Sequence, residues 1–123
     1  MIKKEFLEQS ILATMLEENY LILDSQLKPD MFYGQYHRQL FALMQQLANE
    51  GHPVDYLTLS ARFEQMEAIG LTYVTELMMF ANTDKFDDYV QLLREIWRER
   101  QKGQILFQAA EGDWAIPQII ERL

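Results

Sequence analysis

Apolar side chains recur at three- and four-residue spacing through most of the chain. Phe6, Leu7, Ile11, Leu12, Met15 and Leu16 form one such stripe and predict a first helix over 4–17. Asn19 is suited to cap a short second helix over 20–26. Lys28-Pro29-Asp30 then interrupts the pattern, because proline disfavours α geometry in the residue before it, and Met31-Phe32-Tyr33 reads as a tight turn. From Gln35 a long helix buries Tyr36, Leu40, Leu43, Met44 and Leu47, with Gly51 as a left-handed C-cap and Pro53 as the stop. Asp55 or Thr58 opens the next helix, along Leu57, Ala61, Phe63 and Met66, as far as the break at Ala68-Ile69-Gly70. Tyr73, Val74, Leu77 and Met78 mark a fifth, and Asn82-Thr83-Asp84 the next boundary. In the last and longest helix Phe86, Tyr89, Val90, Leu93, Ile96 and Trp97 keep the period; carried on to Ala110 it runs about 25 residues, or roughly 37 Å. Glu111-Gly112-Asp113 reads as a reversal into an antiparallel partner helix from Trp114.

The expected architecture is therefore all-α: a multi-helix body over 1–83 followed by a protruding helical hairpin that begins over 84–123. Trp114, Ile116, Ile119, Ile120 and Leu123 still follow the apolar period where the sequence stops. Such a face needs a cover, and the expectation is a truncated hairpin, a dimer seam, or both.

Composition narrows the function. With 123 residues, 49% apolar and 24% charged, the chain suits one globular core. It has no cysteine, so disulfides, thiolate metal sites and cysteine nucleophiles are excluded, and the cytoplasm is the expected compartment. Eleven Lys and Arg against nineteen Asp and Glu give a formal charge of -8, the wrong sign for strong autonomous nucleic-acid binding. Apolar runs such as Leu21-Ile22-Leu23 are far short of the roughly 20 residues that span a bilayer, and Glu5 and Glu8 fall where a signal peptide would be apolar. No membrane association is expected.

Catalytic signatures are missing. Lys102-Gly103 reverses the order of a phosphate-binding loop, and Ser10, Ser25 and Ser60 lie outside any GxSxG context. His37 and His52 form no metal-ligand cluster; His37 reads as a structural histidine bonded to a loop carbonyl and His52 as an exposed loop residue. The carboxylates of Glu17-Glu18, Asp87-Asp88, Glu95 and Glu99 read as solvated helix faces. Arg94, Arg98 and Lys102, with Arg100 nearby, form the one basic stripe, expected to be solvated and balanced by Glu95 and Glu99. The expectation is a chain without catalytic, cofactor or metal residues.

One set of fragments carries a family resemblance. Glu8-Gln9-Ser10-Ile11-Leu12, Leu27-Lys28-Pro29-Asp30-Met31-Phe32-Tyr33, His37, Phe41, Gly51-His52-Pro53-Val54-Asp55 and Thr58-Leu59 occur here in order. Gly70-Leu71-Thr72-Tyr73-Val74-Thr75-Glu76-Leu77, Asp88-Tyr89-Val90 and Arg94-Glu95 continue the series. In order and spacing these resemble the amino-terminal domain of DnaB-type replicative helicases, over roughly residues 5–95.

The resemblance implies a helical body with a hairpin that pairs into dimers, and dimers that build a ring. It further implies a docking role toward primase and, in some systems, a helicase loader. ATP and Mg would belong to a motor domain absent from this chain. Two other functions compete: a freestanding regulator that binds helicase or primase, and a helix-turn-helix DNA-binding regulator. The residues expected at the hairpin or its seam are Trp97, Ile105, Leu106, Phe107, Trp114, Ile116 and Ile119, with Tyr73 as a further partner contact. The chain departs from the family pattern in its short, Lys-rich start, in Ile69 where a second glycine is usual, and in the polar stretch 97–104. There Gly103 should weaken the helix by about 1 kcal/mol relative to Ala.

Overall fold

A computed structural model describes residues 3–62 and 70–112, with side chains to residue 106 of the last helix. Among the described residues six α-helices follow in order: α1 (Lys4–Glu17), α2 (Tyr20–Asp24), α3 (Gln35–Asn49), α4 (Tyr56–Ser60), α5 (Leu71–Leu77) and α6 (Phe86–Gly112). Single 3₁₀ turns occupy Pro29–Met31 and Met78–Phe80, and no strand occurs among the described residues. The fold is all-α.

Helix α1 is the axis of the body. Leu7, Glu8, Ser10, Ile11, Leu12, Ala13, Thr14 and Met15 are all buried, so the helix is enclosed on nearly every side instead of showing one apolar stripe. It packs on α2, α3, α5, α6 and the Met78–Phe80 turn. At its start Phe6 is only part-covered, edge-on to Phe80 at 5.7 Å and to Tyr89 at 6.4 Å. Phe32 and Phe41, 5.1 Å apart, close the core where the Pro29–Met31 turn meets α3.

Polar ties fix the connections. The Thr14 hydroxyl donates to the Ser10 carbonyl at 2.7 Å and accepts from the Asn82 N–H at 2.9 Å, which pins the approach to α6. Arg94 of α6 donates to the Ser25 carbonyl beside Gln26, whose φ of 58° lies in the left-handed region. Gly51, at φ 80°, ends α3 in the left-handed conformation expected of it. Asp55 caps α4 by accepting from the Thr58 N–H at 2.9 Å, while the Thr58 hydroxyl accepts from the Asp55 N–H.

Several expectations need correction. Asn19 does not cap α2: its amide donates to the Met15, Leu16 and Val54 carbonyls and its Oδ1 accepts from the Val54 N–H at 2.7 Å. It thereby joins the end of α1 to the strap before α4. Helix α2 stops at Asp24, and the turn after Lys28 is Pro29–Met31. Tyr33 is exposed while Phe32 alone fills the gap between helices. Tyr36 is exposed too, and its neighbour His37 is the buried residue of the first turn of α3. Leu57 is 74% exposed and Leu59 is the buried anchor, since the Asp55 cap sets the start of a helix too short to have a full face. The expected continuation of that helix through Phe63 and Met66, and the break at Ala68-Ile69, lie outside the described residues, as does the partner helix from Trp114.

Replacing Asn19 by Ala strands both polar groups of the Val54 backbone, which is buried. We expect a loss of about 2–4 kcal/mol in urea unfolding. Asn19→Asp keeps the acceptor and should lose less.

Candidate docking site

The most heavily bonded buried side chain of the body is a carboxylate. Glu8, 2% exposed, accepts from the backbone N–H groups of Tyr33 and Gly34 and from the Nδ1 of His37 at 2.8 Å. His37 is buried as well; its Nε2 meets the Tyr73 hydroxyl at 2.7 Å, and that oxygen accepts from the Gln9 amide at 3.2 Å. One proton arrangement satisfies every group: His37 donates through Nδ1–H to Glu8 and accepts at Nε2 from the Tyr73 O–H. The chain joins α1, the loop ahead of α3, α3 and α5 through four side chains. His37 is thus structural, but its partners are a carboxylate and a phenol, not the loop carbonyl expected for it. Gly34 suits this approach: a Cβ there would lie 3.0 Å from His37 Nδ1 and 3.3 Å from Glu8 Oε1, close enough that those side chains would have to give by a few tenths of an ångström.

A groove of about 510 Å³ opens above the network, lined by Lys4, Glu5, Tyr33, Tyr36, His37 and Tyr73 among others. The Tyr73 ring stacks on His37, with centroids 5.9 Å apart and planes at 20°. Burial is the main cause that holds the Tyr73 phenol above its ordinary value of 10.0, with the charges of Glu5, Glu8 and Glu76 adding to it and the Gln9 hydrogen bond opposing. At the rim, Lys4 Nζ lies 4.9 Å from the Tyr33 ring centroid and the Arg100 guanidinium 5.6 Å. Arg100 also donates to the Asp30 carbonyl at 3.1 Å, so this groove and α6 share one margin.

Beyond Arg100, α6 makes no side-chain hydrogen bond to the body among the described residues. Ile105 is half-buried and Leu106 is 50% exposed there. One turn before, Trp97 packs on the core with its indole N–H unpartnered. Arg94 and Arg100 depart from the expected solvated stripe by holding backbone carbonyls, whereas Arg98 is exposed and Lys102 is exposed 3.8 Å from Glu99, as expected of a stripe balanced by carboxylates. No group of three His, Cys, Asp or Glu among the described residues could hold a metal, and no helix there is long and apolar enough to cross a membrane.

The fold has known counterparts. The family described as DnaB-like helicase N terminal domain matches residues 3–95. The chain belongs to that family. The chain is 37% identical over 76 residues to the replicative DNA helicase DnaB of Buchnera aphidicola subsp. Schizaphis graminum, covering 57% of this chain and 16% of the relative. With the DnaB of Buchnera aphidicola subsp. Baizongia pistaciae it shares 32% over 95 residues, 72% of this chain and 20% of that one. The chain thus spans a fifth or less of these helicases. Among solved structures, a DnaB-like replicative helicase described with its interactions with primase superposes at TM-score 0.81, with 28% identity, over 96% of this chain and 30% of that chain. The N-terminal domain of DnaB helicase from Mycobacterium tuberculosis superposes at 0.79 over 95% and 90% of the two chains; at 22% identity it speaks for the fold alone. The matched part is the N-terminal domain of DnaB-like helicases.

The sequence-expected contact residues of this DnaB-type domain fall in two places. Tyr73 is in the groove; Trp97, Ile105 and Leu106 are on α6. The side chain of Phe107, and Trp114, Ile116 and Ile119 entirely, lie outside the described residues. Sequence reasoning missed Glu8, Lys4 and Tyr33 as parts of a site. Glu8 had a signal: a carboxylate between Leu7 and Ile11 on an apolar helix is either buried with partners or misplaced.

Glu8→Ala leaves the Nδ1 of His37 and two backbone N–H groups unpaired, and we expect about 3–5 kcal/mol lost in chemical unfolding. Because the raised Tyr73 value favours the neutral phenol in the folded chain, its contribution is complete below pH 10.0 and lost as pH rises through the folded value. Alkaline melting curves should show this loss, and Tyr73→Phe should flatten it.

Proposed function

We propose that this domain is the assembly and partner-docking part of a replicative helicase acting in DNA replication in the cytoplasm. It joins copies of itself along α6 and docks primase, with a helicase loader as a further partner. The observation that carries this reading is α6 itself. Its 27 residues measure about 40 Å, and past Arg100 it bears Ile105 and Leu106 with little of the body to cover them. A seam there would run on through Phe107, Trp114, Ile116 and Ile119 as a helical hairpin, while Tyr73 faces a second partner from the groove.

The names of the relatives support the replication role, and the solved helicase described with primase supports that partner. Electrostatics agree: at a formal charge of -8 the domain repels DNA phosphates, and its contacts with protein are apolar and aromatic. ATP and Mg would serve a motor domain elsewhere in the parent protein, and this chain would need no cofactor of its own.

Light scattering across a concentration series tests the seam, and titration with primase tests docking. We expect the molar mass to rise from monomer to dimer and a saturable primase complex to form. Leu106→Glu, at a half-exposed site that spares the fold, should raise the dimer midpoint at least tenfold. Monomer at every concentration together with no primase complex would contradict the proposal.

A further inference from the structure

The hydrogen bonds that run from Glu8 through His37 and Tyr73 to Gln9 can point in two directions. The arrangement described above is that of a neutral imidazole: His37 donates at Nδ1 to Glu8, 2.8 Å away, and accepts at Nε2 from the Tyr73 hydroxyl at 2.7 Å. Gln9 closes the series by donating its amide N–H to the Tyr73 oxygen at 3.2 Å. That amide makes no other hydrogen bond among the described residues, so it can turn over and offer Oε1 in place of the N–H.

A second arrangement satisfies the same atoms with one proton more. With Nε2 protonated, His37 donates to the Tyr73 oxygen, the Tyr73 O–H swings to Gln9 Oε1, and Nδ1–H still donates to Glu8. Only the Gln9 amide has to turn, and no buried group loses its partner. The imidazolium is in direct contact with the Glu8 carboxylate, so a charge on a residue only 6% exposed is paired. His37 also lines the groove, which gives the proton a route from solvent.

Other ionisable groups surround the ring without bonding to it. Lys4 and Glu5 of α1 and Tyr33 of the loop line the same groove, and Glu76 of α5 lies close enough to act on Tyr73. Arg38 of α3 is bonded to the Phe32 and Tyr33 carbonyls, and Arg100 of α6 reaches the Tyr33 ring. The imidazole itself is bonded by Glu8 and Tyr73.

We infer that His37 is a proton-operated switch beneath the groove: uptake of one proton reverses its hydrogen bond with Tyr73 and cancels the single negative charge of the Glu8 hub, with the fold intact. The inference concerns the floor of the groove and holds whichever partner docks over it.

Nitrogen-15 and ring-proton NMR of the full chain reads the switch as the pH is lowered from about 8 to about 5, the window in which imidazoles ordinarily titrate. His52→Gln, at an exposed loop position, leaves His37 as the only histidine. The expected result is a bare Nε2 at the start, a reversible gain of its proton, and the amide signals of the folded chain throughout. Tyr73→Phe removes the acceptor for Nε2–H and should move the step down by at least about one pH unit, a tenfold loss of proton affinity. Glu8→Gln removes the paired charge and should act in the same direction. Circular dichroism shows which variants are folded, and the His52→Gln chain alone decides the matter if neither is. A proton on Nε2 at the start, ring signals that move only as the amide signals collapse, or an unmoved step in a folded variant would overturn the inference.

Discussion

A carboxylate buried at 2% exposure is tolerable only if its environment replaces the water it has lost. Glu8 meets that condition by accepting from two consecutive backbone N–H groups and an imidazole. Those donors come from the loop before α3 and from α3 itself, and the imidazole passes the constraint to Tyr73 on α5. Most of the body's geometry follows from this requirement. The Tyr33-Gly34 turn has to present its amides inward, residue 34 sits where a Cβ would crowd His37 and Glu8, and α5 has to bring a phenol within reach of His37. A hydrophobic residue in place of Glu8 could fill the same volume, but it would not specify which turn closes over α1.

The same requirement shapes the surface. By drawing the Tyr33 amide inward, Glu8 leaves the Tyr33 ring outside, where Lys4 and Arg100 lie near it. The rim of the groove is therefore tied to α6. Arginines that might have offered a phosphate-binding stripe instead hold the carbonyls of Ser25 and Asp30. What is left outward carries a net acidic charge together with exposed aromatic and apolar side chains.

Local chemistry was legible in the sequence. The span of α1, the start of α3, the left-handed end at Gly51 and the Asp55 cap all depend on residues within a turn or two of each other. Contacts across long separations were not. Asn19 looks like a cap in sequence, yet its partner Val54 lies 35 residues away. Leu57 and Tyr36 satisfy the apolar period, but both are exposed, and the buried residues of those first turns are Leu59 and His37. At the site, His37 was readable as structural, whereas the hydrogen bond that ties Tyr73 to it across 36 residues was not. The carboxylate that links them was counted among many and its burial overlooked, because abundance hides the one acid with a distinct role.

Native-state hydrogen exchange at the Tyr33 and Gly34 amides tests the Glu8 hub most directly. Both lie in a loop outside any helix, yet if Glu8 accepts from them as described they should exchange as slowly as the core amides of α1 and open only with global unfolding. Exchange at the rate of an unprotected loop, with α1 and α3 still protected, would contradict the account.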